Sequence, residues 1–357
     1  MKSLVFWGAG RAEIAGRRQA EGVTLLLWKE AGAEALRAAG LSFETASSHL
    51  GGEQQAWIDS AADAWVQAWP HVSLVDGQSF AERVTWKGES LGWSAEAFLR
   101  RSGRSPRCVR LIETFRLLLE AAAPDEVEAV GLARDETLVL GRVCTALKIL
   151  FHGSTVAVTK PEPGRRSALR GARDLVSSLW RAIAPRGAPS SPRGGEAPAT
   201  APVLWLVEDE PVTPLPEASS EPAPPLLRAE VGRYSAWSVH REVRRACRLF
   251  REEWRRLRKS PGLHEAFSHR RVAFADLAGG DLAELMRFEL PGAVRRYEEV
   301  AATLRALRPR LVFLRPEDRA AQAACRAAEA SFVFFRGWKA TVPPRPEQGQ
   351  PPGVVGC

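Results

Sequence analysis

Arg110–Gly131 reads RLIETFRLLLEAAAPDEVEAVG and leads to GRVCTALKILFHG at Gly141–Gly153; Arg295–Pro316 reads RRYEEVAATLRALRPRLVFLRP and leads to CRAAEASFVFFRG at Cys325–Gly337. At a constant offset Arg110 meets Arg295, Glu113 meets Glu298, Leu119 meets Leu304, Pro124 meets Pro309 and Val127 meets Val312. After a one-residue slip Arg142 meets Arg326, Ala146 meets Ala330, Phe151 meets Phe335 and Gly153 meets Gly337. Upstream, Gly88–Glu89 pairs with Gly280–Asp281. Each copy reads as helix, proline, apolar strand, helix, apolar strand, glycine. One supersecondary order met twice predicts a duplicated α/β domain.

Working outward, Leu4–Trp7 is a buried-type strand, closed by the turn Gly8-Ala9-Gly10. Arg11–Ala20 reads as a helix, Val23–Trp28 as a strand, and Ala31–Ala39 as a helix capped by Gly40. A β-α-β-α opening implies a parallel sheet with right-handed crossovers. The fold class is therefore α/β, with two Rossmann-like parallel-sheet domains. The first spans 1–160 and the second 202–342. The Pro/Gly/Ser/Ala/Arg-rich stretch 161–201 is a linker, and 343–357 a disordered tail. Val203–Val207 restarts the pattern with a strand. Pro211–Pro225 then occupies the place of the first copy's helix and second strand, so the second copy is expected to be eroded at its front end.

The chain has 357 residues, a net charge of +8 and a pI near 9.6. Arginine dominates its basic residues. Such a balance suits acidic partners such as phosphates, nucleotides or anionic lipid surfaces. The five cysteines form no CxxC pair and no Cys/His cluster, which argues against a zinc site or a disulfide framework and for a reducing compartment. Cys144 and Cys325, among small apolar residues, read as packed thiols. No apolar run is long enough to cross a bilayer, and the first residues do not read as a signal peptide. The expected location is the cytoplasm, with a peripheral place on the inner membrane open.

Gly8 and Gly10 lie where a strand turns into a helix, a place that exposes N–H groups to an anion. Glu30, at the end of the second strand, would take ribose hydroxyls in a dinucleotide fold. The third glycine of that fingerprint is replaced by Glu13, so a tight turn that needs glycine only for its backbone stands beside the binding reading. Trp57, Ala61, Trp65 and Trp69 form one stripe on a helix over Gln54–Trp69. The stripe is either core or a sugar-stacking platform. His152-Gly153 follows the apolar run KILF; a His at the carboxyl end of a central parallel strand would face a ligand crevice as general acid or base. Arg336-Gly337 stands there in the second copy. Glu89, between Trp86 and Trp93, is a candidate for sugar hydroxyls, or a structural loop residue. Arg241–Lys259 is an amphipathic helix with a basic outer face, either solvated or laid on an anionic membrane surface. No P-loop, HExxH, GxSxG, DxD or RNA-binding aromatic motif is present, and no nucleic-acid partner is expected.

At WKGESLGW (Trp86–Trp93), PDEV (Pro124–Val127) and ILFHG (Ile149–Gly153), the chain resembles the acceptor-side domain of bacterial surface and capsular polysaccharide glycosyltransferases. The likeness covers about residues 50–156 and, more faintly, 240–340. It implies a GT-B-like pair of Rossmann-type domains binding a nucleotide sugar or a glycan acceptor, with no other cofactor. On this reading His152 is catalytic, and Gly8, Gly10, Glu89, Arg142, Gly153 and Arg336 bind substrate. The chain departs from the family after His-Gly, where the donor-domain motifs do not follow. That leaves open a degenerate or truncated enzyme, a non-catalytic binding or scaffold protein of the same ancestry, and a nucleotide-dependent oxidoreductase or epimerase using Gly8, Gly10 and Glu30.

Overall fold

The structure is a computed structural model and describes residues 2–8, 22–75, 77–154, 203–206, 226–228, 237–335 and 355–356. The expected helix over Arg11–Ala20 and linker over 161–201 lie outside them.

The first strands are β1 (Ser3–Trp7) and β2 (Val23–Leu27), followed by α1 (Ala33–Ala38), β3 (Glu44–Thr45) and α2 (Ala46–His49). The Trp-rich helix is α3 (Gly52–Ala68). Next come the small pair β4 (Ser73–Val75) and β5 (Gln78–Ser79), α4 (Phe80–Arg83), and a hairpin of β6 (Thr85–Trp86) and β7 (Glu89–Ser90). Then follow α5 (Gly92–Ser102), α6 (Arg104–Ala122), β8 (Glu126–Val130), α7 (Arg134–Leu147) and β9 (Leu150–Ser154). Strands β3-β2-β1-β8-β9 pair in that order, all parallel. Val5, Trp7, Leu25, Leu27, Leu36 and Val130 form one buried cluster on this sheet. The next residue in β1, Phe6, is also fully buried and meets the Phe115 ring of α6 edge-on at 5.4 Å. Burial on both faces is what a parallel sheet covered by crossover helices requires.

The second half supplies β10 (Val203–Trp205), β11 (Leu226–Arg228), α8 (Trp237–Leu257) and α9 (Pro261–Ala266). A second hairpin follows, β12 (Ser268–His269) and β13 (Val272–Ala273). After it come α10 (Ala275–Glu284), α11 (Leu290–Leu307), β14 (Leu311–Leu314), α12 (Arg319–Ala327), β15 (Phe332–Phe334) and β16 (Val355–Gly356). Its sheet is parallel with the order β11-β10-β14-β15-β16. Hence β2-β1-β8-β9 and β11-β10-β14-β15 are the same topology twice.

The repeat extends to detail. Helices α6 and α11 each end on a left-handed C-cap, Ala123 with φ 42° and Arg308 with φ 44°, and each cap precedes a proline. A non-glycine residue in that region is uncommon. A proline next to a left-handed cap prevents continuation of the helix.

Two expectations need correction. The second copy is not eroded at its second strand: Leu226–Arg228 pairs with β10 as β2 pairs with β1. The Pro-rich stretch hid it by standing directly before a strand of only three residues. The tail is not wholly without structure, since Val355–Gly356 pairs with β15.

The chain divides into two compact units, neither contiguous in sequence. One comprises Met1–Val84, Ser94–Leu169 and Glu253–Leu285, and the other Thr85–Trp93, Arg170–Glu252 and Met286–Cys357. Each unit thus holds a sheet from one half of the sequence and a hairpin from the other half. In the first unit, hairpin β12–β13 packs on α3 and α6. Trp65 Nε1 donates to the Ser268 carbonyl at 3.3 Å, and His269 and Arg270 bind the buried Glu113. In the second, hairpin β6–β7 packs on α11: Trp86 Nε1 donates to the buried Glu298 at 2.8 Å, and Lys87 Nζ lies 2.6 Å from it. The hairpins themselves are equivalents, since Lys87 and Gly88 in one, and Arg270 and Arg271 in the other, have positive φ at the turn. Hairpin matches hairpin, so the upstream pairing of Gly88–Glu89 with Gly280–Asp281 gives way to Gly88 with Arg271. Asp281 instead sits in α10, where it accepts from Ser105 N and Ser105 Oγ and so caps the amino end of α6.

Candidate functional site at the carboxyl edge of the first sheet

In the first sheet the chain runs outward in one direction through β1, β2 and β3, and in the other through β8 and β9. The direction reverses between β1 and β8. At such a point the loops leaving two adjacent strands diverge, and open parallel sheets bind ligands there. Gly8 leaves β1 and donates its N–H to the Val130 carbonyl at 2.8 Å. A Cβ on Gly8 would lie 2.9 Å from the Gly131 carbonyl oxygen, so glycine is required by close approach of the two backbones.

Helix α7 begins just beyond β8, and Glu136 in its first turn is the centre of a polar cluster. Glu136 Oε2 accepts the Ala133 N–H at 2.9 Å, closing the helix start. Lys29, just past β2, places Nζ 3.1 Å from Oε2, and Arg107 of α6 donates NH2 to Oε1 at 3.1 Å. A second Arg107 nitrogen, NH1, pairs with Asp135 at 3.1 Å. The Glu136 side chain is 6% exposed, whereas those of Lys29 and Arg107 are 44% and 52% exposed. Burial pushes the Glu136 carboxyl up, but the Ala133 N–H and Lys29 outweigh it, and the carboxyl lies below its ordinary value of 4.5. A buried anion therefore holds two half-exposed cations at the carboxyl edge of the sheet. Exposed Glu30 follows Lys29 immediately. Lys29 and Arg107 are thus balanced by Glu136, Asp135 and neighbouring Glu30, and what the edge offers an anionic group is their half-exposed N–H donors, those of Arg107 having the geometry that suits phosphate.

The other predicted residues are placed as follows. His152 lies inside β9, opposite Glu128, not beyond its carboxyl end, and β9 is the last described strand of its sheet. The central-strand expectation is thereby corrected; Ile149–Phe151 is apolar, but Leu150 is 57% exposed. His152 is 57% exposed, with Nε2 3.7 Å from Glu126 at the amino end of β8. Gly153 and Gly141 both lie close enough to the Phe151 ring that a Cβ would meet it at under 3 Å. Arg142 binds Asp276 through both NH groups, at 2.8 and 2.9 Å, and donates to the Ala273 carbonyl at 2.7 Å. Its repeat partner Arg326 binds Glu89 at 3.0 Å. Both arginines thus hold hairpins. Gly10 and Arg336 lie outside the described residues.

In α3 the fully buried side chains are Ile58, Ala62 and Val66, one position off the expected stripe, while Trp69, just past the helix, is buried as the stripe expected. Trp57 is 43% exposed with the Arg270 guanidinium 5.8 Å above its ring. The tryptophans serve as the seat of the hairpin. Cys108, Cys144 and Cys325 are buried thiols, each pushed up to about 12 by burial. No described helix is long and apolar enough to cross a membrane, and the described residues contain no group of three metal-ligating side chains.

Comparison with protein-family models, curated proteins and solved structures returns no match for this chain.

Lys29, Arg107 and Glu136 were not singled out in the sequence. A signal existed for Glu136: the run Ala133-Arg-Asp-Glu136 after an apolar strand has the spacing of a helix start with a carboxylate at its third position. Lys29 and Arg107 carry no local signal, because strand order alone brings them to the same carboxylate.

Proposed function

We propose that the chain is a glycosyltransferase-like protein that binds a nucleotide sugar at the carboxyl edge of its first sheet. The observation that supports this best is the placing of half-exposed Lys29 and Arg107 on buried Glu136, beside the point where strand order reverses between β1 and β8. In this reading Glu136 orients the two cations. They take the diphosphate, and Gly8 lets the backbone of the first turn stay close to the Gly131 loop. In the same reading exposed Glu30 would take the ribose hydroxyls. His152, on the edge strand beside Glu126, takes no part in it.

A second reading, a non-catalytic scaffold of the same ancestry, draws support from a different observation. Arg142 and Glu89, both candidates for substrate, are engaged in ion pairs that hold hairpins.

Thermal denaturation with millimolar UDP-, GDP- and CMP-sugars, NAD and NADP separates the readings. A ligand at a hundred times its Kd stabilises the folded state by about 2.7 kcal/mol, a shift of several degrees. The proposal expects such a shift with a nucleotide sugar, and its loss in Arg107→Ala. A response to NAD or NADP alone moves the assignment to an oxidoreductase or epimerase. Silence with all of them leaves the scaffold.

A further inference from the structure

Helix α8 carries its core residues on one side: Val239, Val243, Ala246 and Phe250 are buried. The opposite side carries Arg241, Arg244, Arg245, Arg248 and Arg251, all exposed. Trp237, 77% exposed, belongs to that same side. At 3.6 residues per turn the five arginines and Trp237 fall within an arc of about 120°, with the tryptophan near its middle. Compensation is partial: exposed Glu252 falls within the same arc, as does exposed Arg255, so the face keeps a clear excess of positive charge. Glu242 lies 3.9 Å from Arg241 and from Arg245, the outer limit for an ion pair. For Arg244, Arg248 and Arg251 no carboxylate stands within that limit among the described residues.

We propose that this face of α8 is a docking surface for an anionic phospholipid bilayer. Charge complementarity comes first. Five guanidinium groups along one side of the helix over 241–251 present a line of bidentate phosphate donors, which a plane of headgroups can meet together. The tryptophan decides between polyanions. An exposed indole in the middle of a cationic face has no unstacked base to meet on duplex nucleic acid, whereas at a bilayer it rests at headgroup level with its ring partly in the acyl boundary. The apolar stripe of α8 is already buried in the protein. Association is therefore electrostatic adsorption fixed by one aromatic anchor, not insertion of the helix. The inference stands apart from the nucleotide reading and uses none of its residues.

The test is co-sedimentation of the full chain with phosphatidylcholine vesicles that contain or lack about one third phosphatidylglycerol, at low and high salt. Each basic residue near an anionic surface is worth about fivefold in partitioning, so the triple variant Arg244→Ala/Arg248→Ala/Arg251→Ala should bind anionic vesicles about a hundredfold more weakly. Trp237→Ala should bind several-fold more weakly and keep its preference for anionic lipid. Salt should release the wild type, since exposed charges are screened. Circular dichroism checks that each variant folds; should the triple variant fail, Trp237→Ala and the salt titration carry the test. The proposal is overturned if the wild type ignores anionic vesicles, if the triple variant binds them as well as wild type, or if duplex DNA binds while vesicles do not.

Discussion

Trp86 Nε1 donates to the Glu298 carboxylate at 2.8 Å, and Trp86 comes from the half of the sequence that does not build the sheet of its unit. The same relation recurs in the other unit, where His269 binds Glu113. Glu113 and Glu298 are repeat equivalents on α6 and α11, and both are buried, at 0% and 2% exposure. A carboxylate in such a position is tolerated only when charged or hydrogen-bonding partners offset its desolvation. Each hairpin brings one ring N–H and one cation to its glutamate, Trp86 with Lys87 and His269 with Arg270. The two units share this arrangement, although one uses a tryptophan ring and the other a histidine ring.

Glu298→Gln should therefore loosen hairpin β6–β7. It removes the charge that Lys87 and Trp86 address, and hydrogen bonds to charged groups contribute about 1.5–3 kcal/mol each in buried settings. Lys87 is about half exposed, so its share is screened. A loss of about 2 kcal/mol is expected, read from urea denaturation followed by tryptophan fluorescence. An unchanged midpoint would show that the hairpin seats by packing alone.

Acid should weaken the first unit. Burial pushes the Glu113 carboxyl up, but the hydrogen bonds from His269 and Arg270 bring it below its ordinary 4.5. The Arg142 hydrogen bond lowers Asp276 in the same direction. A depressed carboxyl contributes stability that is present above the unfolded value and is lost as pH falls through the folded one. Melting temperature should accordingly hold from neutral pH to about 4.5 and decline below it. In Glu113→Gln that decline should be shallower. If the variant and wild type follow one curve, Glu113 is not among the groups responsible.

Gly262 marks another fixed approach. A Cβ there would stand 1.8 Å from the Leu74 carbonyl oxygen, a backbone atom that cannot turn aside. Gly262→Ala must displace α9 from β4, at a cost of about 3 kcal/mol, the upper end for overpacking. Near-wild-type melting would mean that α9 shifts freely.

The parallel sheets and the repeated topology were legible because strand-type segments such as SLVFW and LVFL alternate with helical periodicity, and because Pro124 and Pro309 stop helices at matched places. The hairpins were not. In Thr85–Ser90 and Ser268–Ala273 each strand has only two residues, too short for alternation to register, and no local pattern tells a hairpin which half of the chain it will pack on. Arg142 and Glu89 were noticed as charged and repeated, yet their partners Asp276 and Arg326 lie 134 and 237 residues away. His152 misled because an apolar run before a histidine reads alike for a central strand and for an edge strand. Strand order decides between them.

The two hairpin turns also make an internal comparison. Lys87 and Gly88 have φ of 49° and 85°, and Arg270 and Arg271 have 50° and 66°. Positive φ at both central residues is the type I′ requirement, and glycine is preferred at the second. The first hairpin has it and the second carries arginine, which brings its Cβ close to the following carbonyl. Arg271 is exposed, so its side chain contributes little to packing. Arg271→Gly relieves the strain at the turn, while the added freedom of glycine in the unfolded chain takes back part of the gain. The net expectation is stabilisation by about 0.5–1 kcal/mol, a rise of roughly 2–3 °C in melting temperature. The reverse change, Gly88→Arg, should destabilise by a similar amount, so the pair of variants tests the equivalence of the turns from both sides. If Arg271→Gly lowers the melting temperature, the arginine makes a contact that outweighs its backbone strain, and the two hairpins are not interchangeable.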